Sequence, residues 1–271
     1  MVLHLMRYNM RAIGTSGRAL AGGSSSLRAF FLPVRRMEGR DMTQAEEMAR
    51  AAGLELRREE CGLVLAGDGM ELCADFTTML PRIRPDRLSG ELLVKVARIK
   101  GEPAAHVFDA TAGLGEDSFL LAAAGFDVVL CEANPVIAAL LEDALARAAQ
   151  DERLAPIAAR MHLCQVDSVA ELGRIAQGAE LHLDVVYLDP MFPVRQKSAA
   201  VKKKFQLLHH LECPCANEEE LMAAALSVRP RKVVVKRPPK APHLAGIKPS
   251  HSIEGKAVRY DCIVPAQLKR G

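Results

Sequence analysis

Short apolar runs, bounded by polar and glycine positions, divide most of the chain. Leu54-Glu-Leu, Leu63-Val-Leu and Met70-Glu-Leu-Cys alternate over a few positions only and are separated by Gly62, Gly67 and Gly69. Brief period-two runs between glycines predict a small antiparallel β unit. Thr43 to Ala52 reads as a helix closed by Gly53, and Ser89 to Lys100 as another, with Ser89 as N-cap and Gly101 at its end. From His106 onwards the pattern changes. His106-Val-Phe, Phe126 to Glu132, Met161 to Val166, Leu183 to Leu188 and Val233 to Val235 are short apolar strand candidates with helical segments between them. These helices run over Glu116 to Ala124, ended by Gly125; over Pro135 to Ala149, with Asn134 as N-cap; from near Val169; and from Asn217, with Glu220 in the third position. Strands alternating with helices predict a parallel sheet covered on both faces. Ile253 and Val258 to Val264 around Gly255 predict a closing hairpin, which would give that sheet an antiparallel edge.

The chemistry begins at the first of these strands. Asp109-Ala-Thr-Ala-Gly113-Leu-Gly115 is a strand-to-helix turn containing Gly-x-Gly, where missing side chains let a ligand approach the backbone. A plain tight turn would look the same. The second strand, however, ends in a carboxylate, Glu132, seventeen residues after Gly115. An acid in that position accepts hydrogen bonds from ribose hydroxyls in nucleotide-type folds. A dinucleotide fold would want a third glycine where this chain has Ser118. That argues against a nicotinamide-dependent oxidoreductase.

Leu183 to Leu188 leads directly into Asp189-Pro190-Met191-Phe192-Pro193. This run resembles the Asp/Asn-Pro-Pro-aromatic loop of methyltransferases that modify an exocyclic amine, whose lone pair is delocalised into the ring. A carboxylate and a backbone carbonyl accepting its hydrogens draw the nitrogen towards pyramidal geometry, while a stacked aromatic ring fixes the line of attack. An ordinary strand-ending turn is the competing reading.

Taken together, Asp-Ala-Thr-Ala-Gly-Leu-Gly, Glu132-Ala133-Asn134-Pro135, Tyr187-Leu-Asp-Pro-Met-Phe-Pro, Gln196-Lys-Ser-Ala, Val201-Lys-Lys and Val233-Val-Val-Lys236-Arg237-Pro resemble the RsmJ-like family. These are bacterial methyltransferases of small-subunit ribosomal RNA that act on a guanine exocyclic amine. The resemblance spans roughly residues 45–264. It implies a Rossmann-like class I α/β methyltransferase sheet over residues 89–271, a small N-terminal β subdomain over 42–88, and S-adenosylmethionine as cofactor. Cofactor-binding positions would be Asp109 near the cationic end, Gly113 and Gly115, Glu116 and Asp117 at the helix start, Glu132 and Ala133 at the ribose, Asp167 and Ser168 at the adenine, and Asp189. Asp167 reads equally as an N-cap. Catalysis would fall to Asp189, Pro190 and Phe192.

Charge refines the partner. The net +3 conceals a division: residues 1–41 carry +5, residues 42–194 carry −12 and residues 195–259 carry +9. A basic block directly after the candidate catalytic loop suits a polyphosphate substrate. Arg82, Arg84, Lys197, Lys202, Lys203, Lys204, Lys236 and Arg237 are the candidate RNA-binding positions, in free ribosomal RNA or an assembled small subunit. With no Trp and only three Tyr, a broad stacking platform for single strands is not expected. Seven scattered cysteines suggest reduced thiols in a cytoplasmic protein. His209-His-Leu-Glu-Cys213-Pro-Cys215 has poor spacing for one tetrahedral zinc, so no metal is expected. Residues 1–41 read as a disordered basic arm, a transit peptide or an extension from a wrongly assigned start. A methyltransferase for adenine or a protein amide, and a non-catalytic RNA-binding protein on the same fold, are the alternative functions.

Overall fold

The computed structural model of the protein describes residues 39–102, 105–178, 183–190, 207–208, 211 and 217–267. Residues 1–38 of the basic extension therefore lie outside the described residues. The first helix, α1 (Gly39–Ala51), begins ahead of the expected Thr43. It is followed by three antiparallel strands, β1 (Glu55–Glu59), β2 (Gly62–Gly67) and β3 (Met70–Cys73), in the order β1-β2-β3.

The main sheet contains β4 (His106–Asp109), β5 (Asp127–Cys131), β6 (Met161–Cys164), β7 (Val185–Leu188), β8 (Lys232–Arg237), β9 (His251–Glu254) and β10 (Arg259–Ile263). Its order is β6-β5-β4-β7-β8-β10-β9. From β6 to β8 every pairing is parallel, and β10 lies antiparallel between β8 and β9. The expected seven-stranded, mostly parallel sheet with an antiparallel edge is thus present. Its central strands are buried throughout: Val107, Phe108, Val128, Val129, Leu130, Val185, Val186 and Leu188 are inaccessible. A parallel sheet covered on both faces needs continuous apolar runs rather than alternation, which is the pattern of these segments. Each such side chain contributes about 1.5–3 kcal/mol on burial.

Four helices matter for the site: α2 (Leu92–Ala97), α3 (Glu116–Ala123), α4 (Pro135–Ala148) and α5 (Ser168–Gly178). The expected helix from Ser89 to Lys100 is a correction. A single turn, Pro85–Leu88, ends with Ser89 as its C-cap, and α2 begins only after Glu91. Glu91, at φ −62° and ψ 126°, is extended, so it interrupts the helix that the sequence would otherwise run from Ser89. A last helix, α6 (Glu218–Ser227), is capped by Asn217, which accepts from the Glu220 N–H at 3.1 Å.

The three-stranded sheet shares its core with the rest of the fold. Leu63 and Leu65 belong to the same apolar cluster as Leu140 and Leu141 of α4. Asp143 of α4 reinforces the junction by accepting from the Leu63 N–H at 2.9 Å and from Arg58 at 2.7 Å.

Candidate active site

The carboxyl ends of β4, β5, β6 and β7 converge on one edge, and backbone hydrogen bonds lock their exits together. Ala110 N donates to the Tyr187 carbonyl at 3.0 Å, Ala112 N to Cys131 at 3.1 Å, and Glu132 N to Cys164 at 3.1 Å. Asp109 organises the turn between β4 and α3. Its Oδ1 accepts from the Thr111 N–H at 3.0 Å, and its Oδ2 accepts from the Ser118 hydroxyl at 2.6 Å. Burial pushes the Asp109 carboxyl up to about 7, against the opposing hydrogen bonds from Ser118 and Thr111. Asp109 is 1 % exposed, and its hydrogen bonds with Thr111 and Ser118 shape the turn.

The two glycines of the turn have different tasks. Gly115 sits at φ 75°, and a Cβ there would lie 2.7 Å from Leu141 Cδ1. Close packing on α4 excludes a side chain at Gly115. Gly113 sits at φ 54°, and a Cβ there would meet nothing within 4 Å. Its side-chain face opens onto free space. Glu132 lies beside it, with Oε2 accepting from the Gly113 N–H at 3.0 Å and Oε1 from the Asn134 N–H at 2.8 Å. Burial raises the Glu132 carboxyl above its ordinary value, opposed by the backbone N–H groups of Asn134, Gly113 and Ala133. Asn134 in turn caps α4, accepting from Val136 N at 2.9 Å. Ala133 is exposed on the same loop.

On the other side of β4, Asp189 leaves β7 with its N–H donating to the Thr111 hydroxyl at 2.7 Å. Pro190 behind it is buried. Asp189 shares a cation with Asp117, the second residue of α3. Lys236 Nζ lies 2.8 Å from Asp189 Oδ2 and 2.6 Å from Asp117 Oδ2. Tyr187 donates its hydroxyl to the same Asp117 oxygen at 2.6 Å. Burial works against charge on Asp117, but Lys236, Tyr187 and Arg82 outweigh it and hold its carboxyl below the ordinary range. At Asp189 burial and the neighbouring Asp117 win over Lys236, and its pKa is raised. Burial also disfavours the Lys236 ammonium, yet Asp117 and Asp189 outweigh that and raise its pKa above the usual lysine value.

The strand ends thus bring together an open glycine face, the Glu132 carboxylate beside it and the Asp189 carboxylate at the exit of β7. The model of the family described as "Putative SAM-dependent methyltransferase" matches residues 39–265.

This chain belongs to that family.

Similar proteins agree. "Ribosomal RNA small subunit methyltransferase J" of Thioalkalivibrio sulfidiphilus is 42% identical over 238 residues, covering 82% of this chain and 92% of that protein. The protein of the same name from Chromohalobacter salexigens is 41% identical over 232 residues, covering 83% and 90%. The crystal structure of a SAM-dependent methyltransferase from Neisseria gonorrhoeae superposes with a TM-score of 0.65 at 29% identity, covering 87% of this chain and 95% of that one.

The methyltransferase uses S-adenosylmethionine, and the residues present fit it. The open face at Gly113 permits close approach of a nucleoside, and the Glu132 carboxylate beside it is a suitable partner for a ribose diol. Glu116 is exposed at the start of α3. Asp167 caps α5, accepting from the Ala170 N–H at 2.8 Å, and is exposed; Ser168 beside it is half-buried. The N-cap reading of Asp167 thus has a direct contact.

Several sequence-derived positions fall elsewhere. Arg237, expected at RNA, is 1 % exposed and donates to the Pro242 carbonyl at 2.9 Å and to Glu218 at 3.3 Å. Arg237 is a correction, because its buried guanidinium meets interior partners; Lys236, also expected at RNA, is engaged by two site carboxylates. Arg82 pairs with Glu91 at 2.9 Å and Arg84 with Asp86 at 3.3 Å, and with Arg87 they line a groove of about 680 Å³. Phe192, Lys197, Lys202, Lys203 and Lys204 lie outside the described residues, as do His209, His210, Cys213 and Cys215. Among the described residues no His, Cys, Asp or Glu group could hold a metal, and no helix is long and apolar enough to cross a membrane.

Sequence reasoning missed Thr111, Ser118 and the network role of Tyr187. A Ser placed just before the apolar run Phe119 to Ala124, and one of only three tyrosines placed two residues before Asp189, were the available signals.

Proposed function

We propose that this methyltransferase modifies a guanine exocyclic amine in small-subunit ribosomal RNA. The observation that carries the reading is Asp189: a partly exposed carboxylate at the end of β7, beside the Gly113 turn, with its backbone fixed by Thr111 and its side chain by Lys236. Relatives over 40% identical along nine-tenths of their length are named for ribosomal RNA small-subunit methylation, which supports the choice of polymer. The Arg82, Arg84 and Arg87 groove supplies cationic side chains where an RNA backbone could approach.

S-adenosylmethionine supplies a methyl group on a sulfonium, already activated for displacement. The work left to the protein is to bind, orient and accept a proton. Glu132 anchors the ribose, and Gly113 lets the backbone come close. Asp189 accepts a hydrogen of the target amine and localises its lone pair on nitrogen. The cofactor would supply the methyl and retain the pair of the broken carbon–sulfur bond, while the Asp189 carboxylate takes up the proton that the amine nitrogen sheds. Pro190 and Phe192 would hold the base in line with that axis.

The test is incubation of the purified protein and labelled cofactor with small subunits, and separately with free small-subunit RNA, from cells lacking the gene. Digestion and mass mapping should find one new N2-methylguanosine. Label appearing in adenosine or in ribosomal protein instead would replace this substrate assignment.

A further inference from the structure

Lys236 stands out because, although the sequence puts it among the RNA-binding positions, its ammonium is engaged by two site carboxylates. It projects from the middle of the sheet, opposite Tyr260 in the β8–β10 register, and reaches two carboxylates from different elements. It is placed at the junction between the start of α3 and the exit of β7, where the amine acceptor sits.

We infer that Lys236 is a positioning residue for methyl transfer: its ammonium, anchored by Asp117, fixes the Asp189 side chain and favours the carboxylate form that can receive the amine proton. This rests on the Asp189 role proposed above. Two features support it. Asp117 is itself held by the Tyr187 hydroxyl, so the anchor for the ammonium is fixed from two directions. And the groups around Asp189 make a free carboxylate there costly: Asp117 at α3 and Asp109 at β4 are like charges, and the phenols of Tyr187 and Tyr260 supply no positive charge. Arg82 acts on Asp117 and Tyr260 rather than directly on Asp189. Lys236 is thus the cation in contact with Asp189 among the described residues.

Without that cation, burial and the neighbouring Asp117 would act on Asp189 unopposed and raise its pKa further. A protonated Asp189 cannot take the amine proton. An adjacent cation lowers a carboxyl pKa by about 1–3 units, so its removal should move the titration by a similar amount.

The experiment compares wild type, Lys236→Met, Lys236→Arg and Asp189→Asn by two readouts. The first is single-turnover methyl transfer against pH with cofactor and small-subunit RNA saturating. The second, which needs no RNA, is the carboxyl-carbon NMR titration of aspartate-labelled protein, with the Asp189 signal identified by its loss in Asp189→Asn. In Lys236→Met the acidic limb of the rate and the Asp189 midpoint should both move upwards by about a unit or more, and Lys236→Arg should restore both. A rate that falls equally at every pH, or a midpoint that stays in place, overturns the inference and leaves Lys236 as a structural ion pair. If Asp189→Asn transfers methyl at the wild-type rate, the Asp189 mechanism fails first and this role fails with it. Should Lys236→Met not fold, the double variant Lys236→Met/Asp117→Asn removes one of the two stranded carboxylates and is read against Asp117→Asn alone, with the same two outcomes.

Discussion

Glu132 accepts a hydrogen bond from the Gly113 N–H at 3.0 Å, so the acid at the end of β5 also braces the glycine turn at the end of β4. The Glu132 carboxylate and the glycine turn are one mechanical unit. In Glu132→Ala both the acceptor and the brace disappear, and cofactor affinity should fall by about 1.5–3 kcal/mol, the worth of a hydrogen bond to a charged group. Glu132→Gln keeps an acceptor for Gly113 and should lose less. Titration calorimetry with S-adenosylmethionine measures both, and equal affinity in all three proteins would remove Glu132 from the site.

The two glycines of the turn should fail in different ways. A Cβ at Gly115 collides with Leu141 and sits at positive φ, so Gly115→Ala should destabilise the fold by about 1–3 kcal/mol. Gly113→Ala meets only the cost of positive φ, about 1–2 kcal/mol, because its surroundings are open. Its main effect should be on cofactor binding, where the new methyl faces the ligand. Urea unfolding and calorimetry on both variants separate the two. Comparable cofactor affinity in wild type and Gly113→Ala would show that no ligand approaches there.

Asp109 predicts a pH dependence of stability. Its folded pKa, about 7, lies above the unfolded value of 3.8. The folded state therefore binds the extra proton between those values, and this contribution is fully present below the unfolded pKa and lost as pH rises through the folded one. Asp109→Asn has no such proton. Wild type minus Asp109→Asn stability should decrease from about pH 4 to about pH 7, by at most on the order of 4 kcal/mol. Denaturation curves at several pH values measure the slope; a flat difference would mean Asp109 is ionised throughout.

For the acceptor itself, single-turnover methyl transfer at saturating cofactor and RNA should fall in the order wild type, Asp189→Asn, Asp189→Ala. The loss in the alanine variant should be on the order of 2–4 kcal/mol, a hundredfold or more, with RNA affinity little changed. A wild-type rate in Asp189→Ala would make the Asp-Pro turn structural only.

Cationic residues should divide by salt dependence. Neutralising Arg82, Arg84 or any of Lys197, Lys202, Lys203 and Lys204 should lower the log–log salt slope of RNA binding by about 0.7–0.9 for each phosphate that the protein then leaves unneutralised. Arg237→Gln should leave the slope unchanged and cost about 1–3 kcal/mol of fold stability, because Arg237 donates to a backbone carbonyl and to Glu218 inside the protein. A slope change in Arg237→Gln would reverse its assignment to the interior.

The sequence by itself determined the strand and helix alternation, the glycine turn after β4, the acid closing β5 and the Asp-Pro exit of β7. Each of these is a local property: apolar runs of strand length, glycine at positive φ, and a polar residue following directly on a buried strand. Tertiary structure decided what the charged residues face. Lys236 and Arg237 look alike in a basic segment, but on an interior strand they meet Asp117, 119 positions away, and Glu218. A charge read along the chain carries no information about a partner brought across the sheet. For the same reason Gly113 and Gly115 are equivalent in the motif and differ in the fold, since only the packing of α4 places Leu141 against one of them.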